Sequence, residues 1–376
     1  MRYNPEMMIG AYAVTVEGVP SMLLNFLDSL RVRANGIPRF QGDGPREIAR
    51  EVLRRNARKE VLYAGSGHFH FMWVSDFSKS LRGALLTLPA PYLRGRIAYM
   101  LQESARLGRV TSCFTARHGF DMPYYRGDNL PWLVHAVSEY SSFTGDGSLI
   151  SEARPVLADL LENFEKDLLS GGLMPESMTG DWADTILRPS STYNNLCALR
   201  MLGLLAGLGL KSRTDAAAFE KLLLAERWKG DHFIDYAGTD RFSVDAAAYA
   251  LYFGLFSPEI REAAAEGVRR AGLDRPFPIR NAPAPYDREL MPLISRLSPT
   301  YHSCYWLHLG LVWLNGLKRL GEDVSAPREK VEELVERYGN FLETLGADES
   351  PYRTFWHSTE YGLSMAAGQY LELTGR

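Results

Sequence analysis

Two kinds of helical segment alternate along this chain, and that alternation limits the fold more than any single motif does. The first kind has a charged face and an apolar face: residues 45–62 (PREIAREVLRRNARKEVL), 93–108, 154–169, 215–228, 257–272 and 328–346. Apolar residues at helical spacing on one side only mark helices half exposed to solvent. The second kind is apolar or small nearly all round: residues 75–88 (SDFSKSLRGALLTL), 127–145, 191–209, 243–256 (SVDAAAYALYFGLF), 300–321 and 358–375. Such helices must be buried. The buried type follows the half-exposed type six times, at a spacing of roughly 50–65 residues, which is the mark of a repeat architecture. Six buried helices wrapped by six half-exposed ones predict an all-α chain closed into an (α/α)6 toroid. The expected organisation is one barrel domain over residues 1–376, with residues 1–44 closing the barrel or covering its mouth as a lid.

The buried helices begin alike. Ser75-Asp76-Phe77, Gly127-Asp128-Asn129, Tyr193-Asn194-Asn195, Ser243-Val244-Asp245, Tyr301-His302-Ser303 and Thr359-Glu360-Tyr361 open them. Ser, Asp, Asn and Thr satisfy the orphan N–H groups of a helix start. Capping does not explain Tyr, His and Glu at the same end. Parallel inner helices would gather these clusters at one mouth. The segments leading into that mouth, 63–73, 117–126, 171–191 and 347–358, hold Trp, Tyr, Phe, His, Asp, Glu and Arg rather than plain linker residues. Reactive and aromatic groups on loops held by a rigid scaffold point to function.

Composition narrows the class. Hydrophobic residues are 46% and charged residues 23% of the chain, enough apolar mass for a large core. A net charge of −3 does not favour a nucleic-acid partner. No apolar run reaches the roughly 20 residues of a membrane span, and the first residues do not read as a secretory leader. Three widely spaced cysteines, Cys113, Cys197 and Cys304, form neither a disulfide framework nor a metal-ligand spacing. A cytoplasmic protein with reduced thiols is expected, with no metal and no cofactor. The oligomeric state is not legible.

Neither a nucleophile–histidine–acid arrangement nor a phosphate loop is present. "GSGHFH" (65–70) has the glycines but not the Lys or the strand-to-helix setting. Acids and aromatics in a cavity remain, and they suit glycoside hydrolysis of a small carbohydrate. One carboxylic acid protonates the leaving oxygen, and a second carboxylate deprotonates a water on the opposite ring face.

The residues at the mouth resemble the six-hairpin glycosidases, the group of trehalase, processing α-glucosidase, alkaline invertase and the glucosidase domain of glycogen debranching enzyme. "WVSDFSKSLRGAL" (73–85), "GDNLPWLVHAVSEYSSFTGD" (127–146), "GDWADTI" (180–186) and "YHSCYWLHLGLVWLNGLKRLG" (301–321) carry the likeness, in order, over about residues 60–376. The chain departs from the pattern at Ser75, Cys304 and Leu307. The resemblance implies an inverting, exo-acting hydrolase of a small α-linked glycoside. It makes Asp184 the general acid, as the second Asp of D-W-x-D, with Asp181 and Glu176 as the other acids of that loop. It puts the general base at Glu349 in the final mouth loop, or at Glu360 at the start of the last inner helix. Asp76 is expected to accept hydrogen bonds from sugar hydroxyls. Trp73, Trp132, Trp182, Trp306 and Trp356 are expected to wall the pocket, and Arg126 and Arg188 to bind a hydroxyl or a carboxylate. Phe77, Tyr125, Asp128, Asn129, Tyr193 and Asn194 complete the expected mouth. His302 and His357 keep a second reading open, a sugar isomerase or epimerase. A lyase of acidic sugars and an inactive carbohydrate-binding protein are the remaining alternatives.

Overall fold

The computed structural model describes residues 18–121, 126–175, 180–183, 186–276, 278–291 and 296–375, with side chains from residue 26 onward. Its helices, in chain order, are α1 Gly18–Asn35, α2 Pro45–Asn56, α3 Val74–Leu85, α4 Ala90–Leu107, α5 Asn129–Thr144, α6 Ser148–Phe164, α7 Thr192–Leu205, α8 Ala216–Arg227, α9 Val244–Phe253, α10 Pro258–Arg270, α11 Leu307–Leu320, α12 Ser325–Tyr338 and α13 Ser364–Thr374. Helix α3 packs on α5, α5 on α7, α7 on α9, α9 on α11, α11 on α13, and α13 returns to α3. The six buried segments therefore close a ring. Each of α2, α4, α6, α8, α10 and α12 packs against at least one inner helix from outside. The chain has the all-α toroid expected of it.

Local chemistry agrees with the placement. All ten residues of α9 are buried, as an inner helix without charge on any outward face requires. Ser191, Asp215 and Ser243 cap α7, α8 and α9 through side-chain oxygens. Among the described residues no helix is long and apolar enough to cross a membrane. Cys113, Cys197 and Cys304 are buried.

The ring closes at a seam of small residues. Gly83 of α3 and Gly368 of α13 face each other, and a methyl group on Gly83 would collide with the Gly368 carbonyl. A methyl group on Gly368 would lie 2.6 Å from Ser80 Cα. Gln369 bridges the seam: its Nε2 donates to the Lys79 carbonyl at 2.5 Å, and its Oε1 accepts from Asn315 Nδ2 of α11 at 3.0 Å. Gly83→Ala is expected to cost about 1–3 kcal/mol by overpacking. Urea unfolding reads this, and an unchanged midpoint would mean that the two helices part freely.

Two helix starts differ from the sequence reading. Helix α11 begins at Leu307, because 305–306 form a two-residue strand, β4, paired antiparallel with β5 at Thr344–Leu345. Helix α13 begins at Ser364, so Glu360 lies in the loop before it and not in its first turn. Gly362, at φ 61°, breaks the helical path there. A second small sheet joins β1 (Met72–Trp73) to β2 (Cys113–Phe114) and β2 to β3 (Gly119–Phe120). Strands β1 and β4 each run directly into an inner helix, which places Trp73 and Trp306 at the N-caps of α3 and α11.

Of residues 1–44, the described part forms α1 and the segment leading to α2. Helix α1 lies over the 354–361 loop. Arg33 donates to the Thr354 carbonyl, and the Tyr361 hydroxyl donates to Asp28 Oδ1 at 3.1 Å. Val32 joins Tyr305, Leu334, Leu342, Leu345 and Tyr361 in one apolar cluster.

Candidate active site

A small cavity, open on one side, lies where the inner helices begin. Trp73, Asp76 and Lys79 enter it from the start of α3, Trp306 and His308 from α11, and Leu363 and Met365 from α13. Phe69, Arg126, Trp182, Tyr301 and Glu343 complete the wall from the loops.

Glu343 and Asp76 are the carboxyls of this wall among the described residues, and Glu343 is the one set between Tyr301 and the Glu360 backbone. Its carboxyl is buried, with the Tyr301 hydroxyl donating to Oε1 at 2.6 Å and the Glu360 backbone N–H donating to Oε2 at 3.3 Å. Burial pushes its pKa up to about 7, against the pull of the Tyr301 bond and of the charge on His68. It therefore exchanges a proton near neutral pH.

Glu360 is occupied differently. The backbone N–H of Gly67 donates to Oε1, and those of His68 and Phe69 donate to Oε2 at 2.8 and 3.1 Å. The glycine-rich stretch 65–69 is thus a nest for a protein carboxylate. A side chain at Gly65 or Gly67 would strike Glu360, which accounts for both glycines. His68 Nδ1 lies 3.0 Å from Glu360 Oε2 and 3.7 Å from Asp28 Oδ2. Burial alone would lower the His68 pKa, but Glu360 and then Asp28 outweigh it and hold the imidazole cationic, at about 10. Glu360→Gln is expected to cost roughly 1–3 kcal/mol, because it leaves the nest and His68 without their anion. Thermal melting at neutral pH measures this.

A second buried network stands behind Trp182. The guanidinium of Arg188, wholly buried, meets three carboxylates: Asp181 Oδ2 at 2.9 Å, Asp235 Oδ1 at 2.7 Å and Asp245 Oδ2 at 2.8 Å. Asp245 Oδ2 also accepts from Trp182 Nε1 at 2.9 Å, which fixes the indole that walls the cavity. Burial lifts Asp235 to about 6, against the pull of Arg188. Arg126 is held by Asp128 through two bonds of 3.1 Å and lies 5.3 Å from the Trp73 ring centre. Asp128 in turn accepts from the Tyr193 hydroxyl at 3.3 Å, and that hydroxyl accepts from Trp132 Nε1 at 2.8 Å.

Lys79 forms the inner end of the cavity. Its side chain is buried, and its Nζ makes no hydrogen bond among the described residues. The rings of Trp132, Trp182, Tyr193 and Tyr249 surround it at 5.2–5.7 Å. Burial lowers its pKa, and Asp76 and Asp128 pull the other way. Burial raises Asp76, opposed by Lys79 and Arg126.

The expected residues separate accordingly. Trp73, Asp76, Arg126, Trp182 and Trp306 line the cavity. Trp132, Tyr193 and Asp128 stand behind it as one hydrogen-bonded chain. Phe77 is core, Asn129 bonds the Val110 carbonyl, and Asn194 bonds the Gly180 carbonyl. Asp181 and Arg188 bind each other. His302 stacks on Trp306 with centres 5.5 Å apart, and His357 meets the Tyr301 ring edge-on at 4.7 Å. Burial lowers both imidazoles to about 3, so both are neutral. Trp356 is exposed at the rim, against Phe26 of α1. Glu349 is not in the cavity: its carboxylate pairs with Lys330 at 2.8 Å and Arg337 at 2.9 Å on the outer helix α12. Asp184, Glu176 and Tyr125 lie outside the described residues. Among the described residues no group of three His, Cys, Asp or Glu side chains is placed to hold a metal ion.

Sequence reasoning missed Glu343, Tyr301, Lys79 and His308. One signal was available. Glu343 is the single charge inside an otherwise apolar stretch, FLETLG.

No protein-family profile matches the chain, and no curated protein matches it in sequence. Solved structures do match. A glycosidase variant in complex with glucose superimposes with a TM-score of 0.68 at 16% identity, over 88% of this chain and 96% of that one. The GH63 mannosylglycerate hydrolase of Thermus thermophilus, holding Tris and D-glycerate, gives 0.64 at 14% identity, over 88% and 100%. A rhamnosidase from Klebsiella oxytoca with rhamnose bound gives 0.60 at 12% identity, over 89% and 64%.

Proposed function

We propose that this chain, which carries the fold of those glycosidases, hydrolyses the glycosidic bond of a small α-linked glycoside with inversion, in the cytoplasm. The observation that carries the reading is Glu343. It is a buried carboxyl on the wall of the cavity where the inner helices begin, oriented through both oxygens and poised near pH 7. In its ionised form it takes a proton from the water that attacks the anomeric carbon. The Tyr301 hydroxyl fixes one oxygen and leaves Oε2 for that proton. Asp184, beside Trp182 in sequence, gives its proton to the leaving oxygen from the other face. Trp73, Trp182 and Trp306 supply flat apolar surfaces for the ring, and Asp76 accepts from its hydroxyls. Glu343 replaces Glu349 and Glu360 as the base in this reading, because Glu349 is spent on surface lysine and arginine and Glu360 on backbone N–H groups.

The test is incubation with trehalose, maltose, isomaltose, sucrose and glucosylglycerate, followed by proton NMR. Wild type is expected to release one sugar, with the inverted anomer appearing first. Asp184→Asn is expected to lose roughly 10²–10⁴ of the rate. First appearance of the retained anomer would overturn inversion. Undiminished cleavage by Asp184→Asn would overturn the donor.

A further inference from the structure

We infer that the inner end of the cavity is a carboxylate-binding subsite, built by Lys79, which selects a glycone bearing a ring carboxylate, a hexuronic acid. The inference rests on the glycosidase reading for its location and deepens it by naming the substrate class.

A buried ammonium is costly unless it is paired. Aromatic faces offset part of that cost, and four surround Lys79 Nζ. They accept no conventional hydrogen bond, so the three N–H donors of the ammonium remain unused among the described residues. Two neighbours on the same wall share this condition. Trp306 Nε1 and both ring nitrogens of His308 are buried and have no hydrogen-bond partner among the described residues. Burial, and then the charge on Lys79, keeps His308 neutral, so one of its nitrogens donates.

The inner end therefore offers a surplus of donors with one positive charge. A neutral hydroxymethyl group brings a donor as well as acceptors and no charge. A carboxylate brings about four acceptor positions, no donor, and the counter-charge. The carboxylates that face Lys79, Asp76 on the preceding turn and Asp128 beside Arg126, do not fill this role. Asp128 is held by Arg126, and Asp76 opens toward the cavity, where ring hydroxyls would meet it. A buried polar site of this kind rejects the analogue that lacks the matching group more strongly than an apolar pocket can.

The test is binding of free D-glucuronate, D-galacturonate and D-mannuronate against glucose, galactose and mannose. Calorimetry and the fluorescence of the cavity tryptophans report it for wild type and Lys79→Met. Wild type is expected to bind one uronate at least about tenfold more tightly than its parent hexose. Lys79→Met is expected to lose roughly thirtyfold or more of that uronate affinity, as truncation of one partner of a buried charge pair does. Its loss of hexose affinity should be at least about tenfold smaller than its loss of uronate affinity. The variant removes a buried charge, so it is expected to fold. Lys79→Gln, which keeps a donor, should fall between. Wild type that binds no uronate, or binds the hexose as well, overturns the inference. So does equal weakening of both ligands by Lys79→Met. The two readings fail separately. Uronate selectivity without hydrolysis of any uronide sinks the hydrolase and leaves the subsite. Hydrolysis of neutral glycosides alone, unaffected by Lys79→Met, does the reverse.

Discussion

If the proposed hydrolysis holds, Glu343→Gln is expected to lower kcat/KM by about 10²–10⁴-fold on the glycoside substrate, while the chain stays folded. The amide oxygen still accepts from the Tyr301 hydroxyl, the shorter of the two bonds, and only the 3.3 Å bond from the Glu360 N–H is given up to the amide NH2, so the wall keeps its shape. What is lost is the proton acceptor. The pH profile separates this from a packing defect. The base acts ionised, and Glu343 titrates at about 7 in the folded chain. Wild-type kcat/KM should therefore rise through pH 7, and the residual activity of the variant should lack that limb. Stability should respond with the opposite sense. Glu343 has its folded pKa raised above the unfolded value, so its contribution is present below about pH 4.5 and is lost as pH climbs to 7. The variant should thus gain on wild type between pH 5 and pH 8 in urea unfolding. A rate loss with the acid limb intact would remove Glu343 from the reaction.

Arg188→Met should be among the most damaging single changes to stability. It leaves Asp181 and Asp245 as buried carboxyls without a cation among the described residues, and Asp235 with only Arg241, 3.9 Å away. Removing one partner of a buried ion pair costs about 3–5 kcal/mol, and here one cation serves three anions. Urea unfolding at pH 7 should show a shift of at least that size, or no folded protein. Arg188→Lys should recover part of it, since it restores the charge and not the planar fork that reaches three acids at once. Acid should narrow the gap between Arg188→Met and wild type, because protonated carboxyls no longer need the cation. A midpoint within about 0.5 kcal/mol of wild type would show the network to be dispensable.

The ring is legible because burial on all sides writes itself into α9 and α11 as a scarcity of charge, confined to Asp245 at the start of one and Lys318 and Arg319 at the end of the other, which composition along the segment reveals. The site is less legible, for identifiable reasons. Glu349 sits in a mouth loop with the residue types of a site, yet a left-handed turn at φ 62° sends it back to Lys330 and Arg337 on α12. Glu343 hides inside an apolar run that reads as helix, whereas 344–345 form a strand with 305–306. Glu360 reads as a helix start because the glycine turn at Gly362 leaves no periodic signal. Arg188 looks like a substrate ligand because one-dimensional text does not show Asp235 and Asp245 folding onto it from 47 and 57 positions away.

The seam between α3 and α13 has a consequence for synthesis. Its bond from Gln369 to Lys79 joins positions 290 apart. Five inner helices can leave the ribosome and pack while the sixth is still unmade, and the inner faces of α3 and α11 stay wet until it arrives. Loop closure over such a span comes late. The nest of residues 65–69 waits for the same stretch of chain, because Glu360 is made just before α13. Completion of the cavity is therefore tied to completion of the chain: a nascent polypeptide that stalls before its last helix holds most of its secondary structure and lacks the wall that Leu363 and Met365 supply.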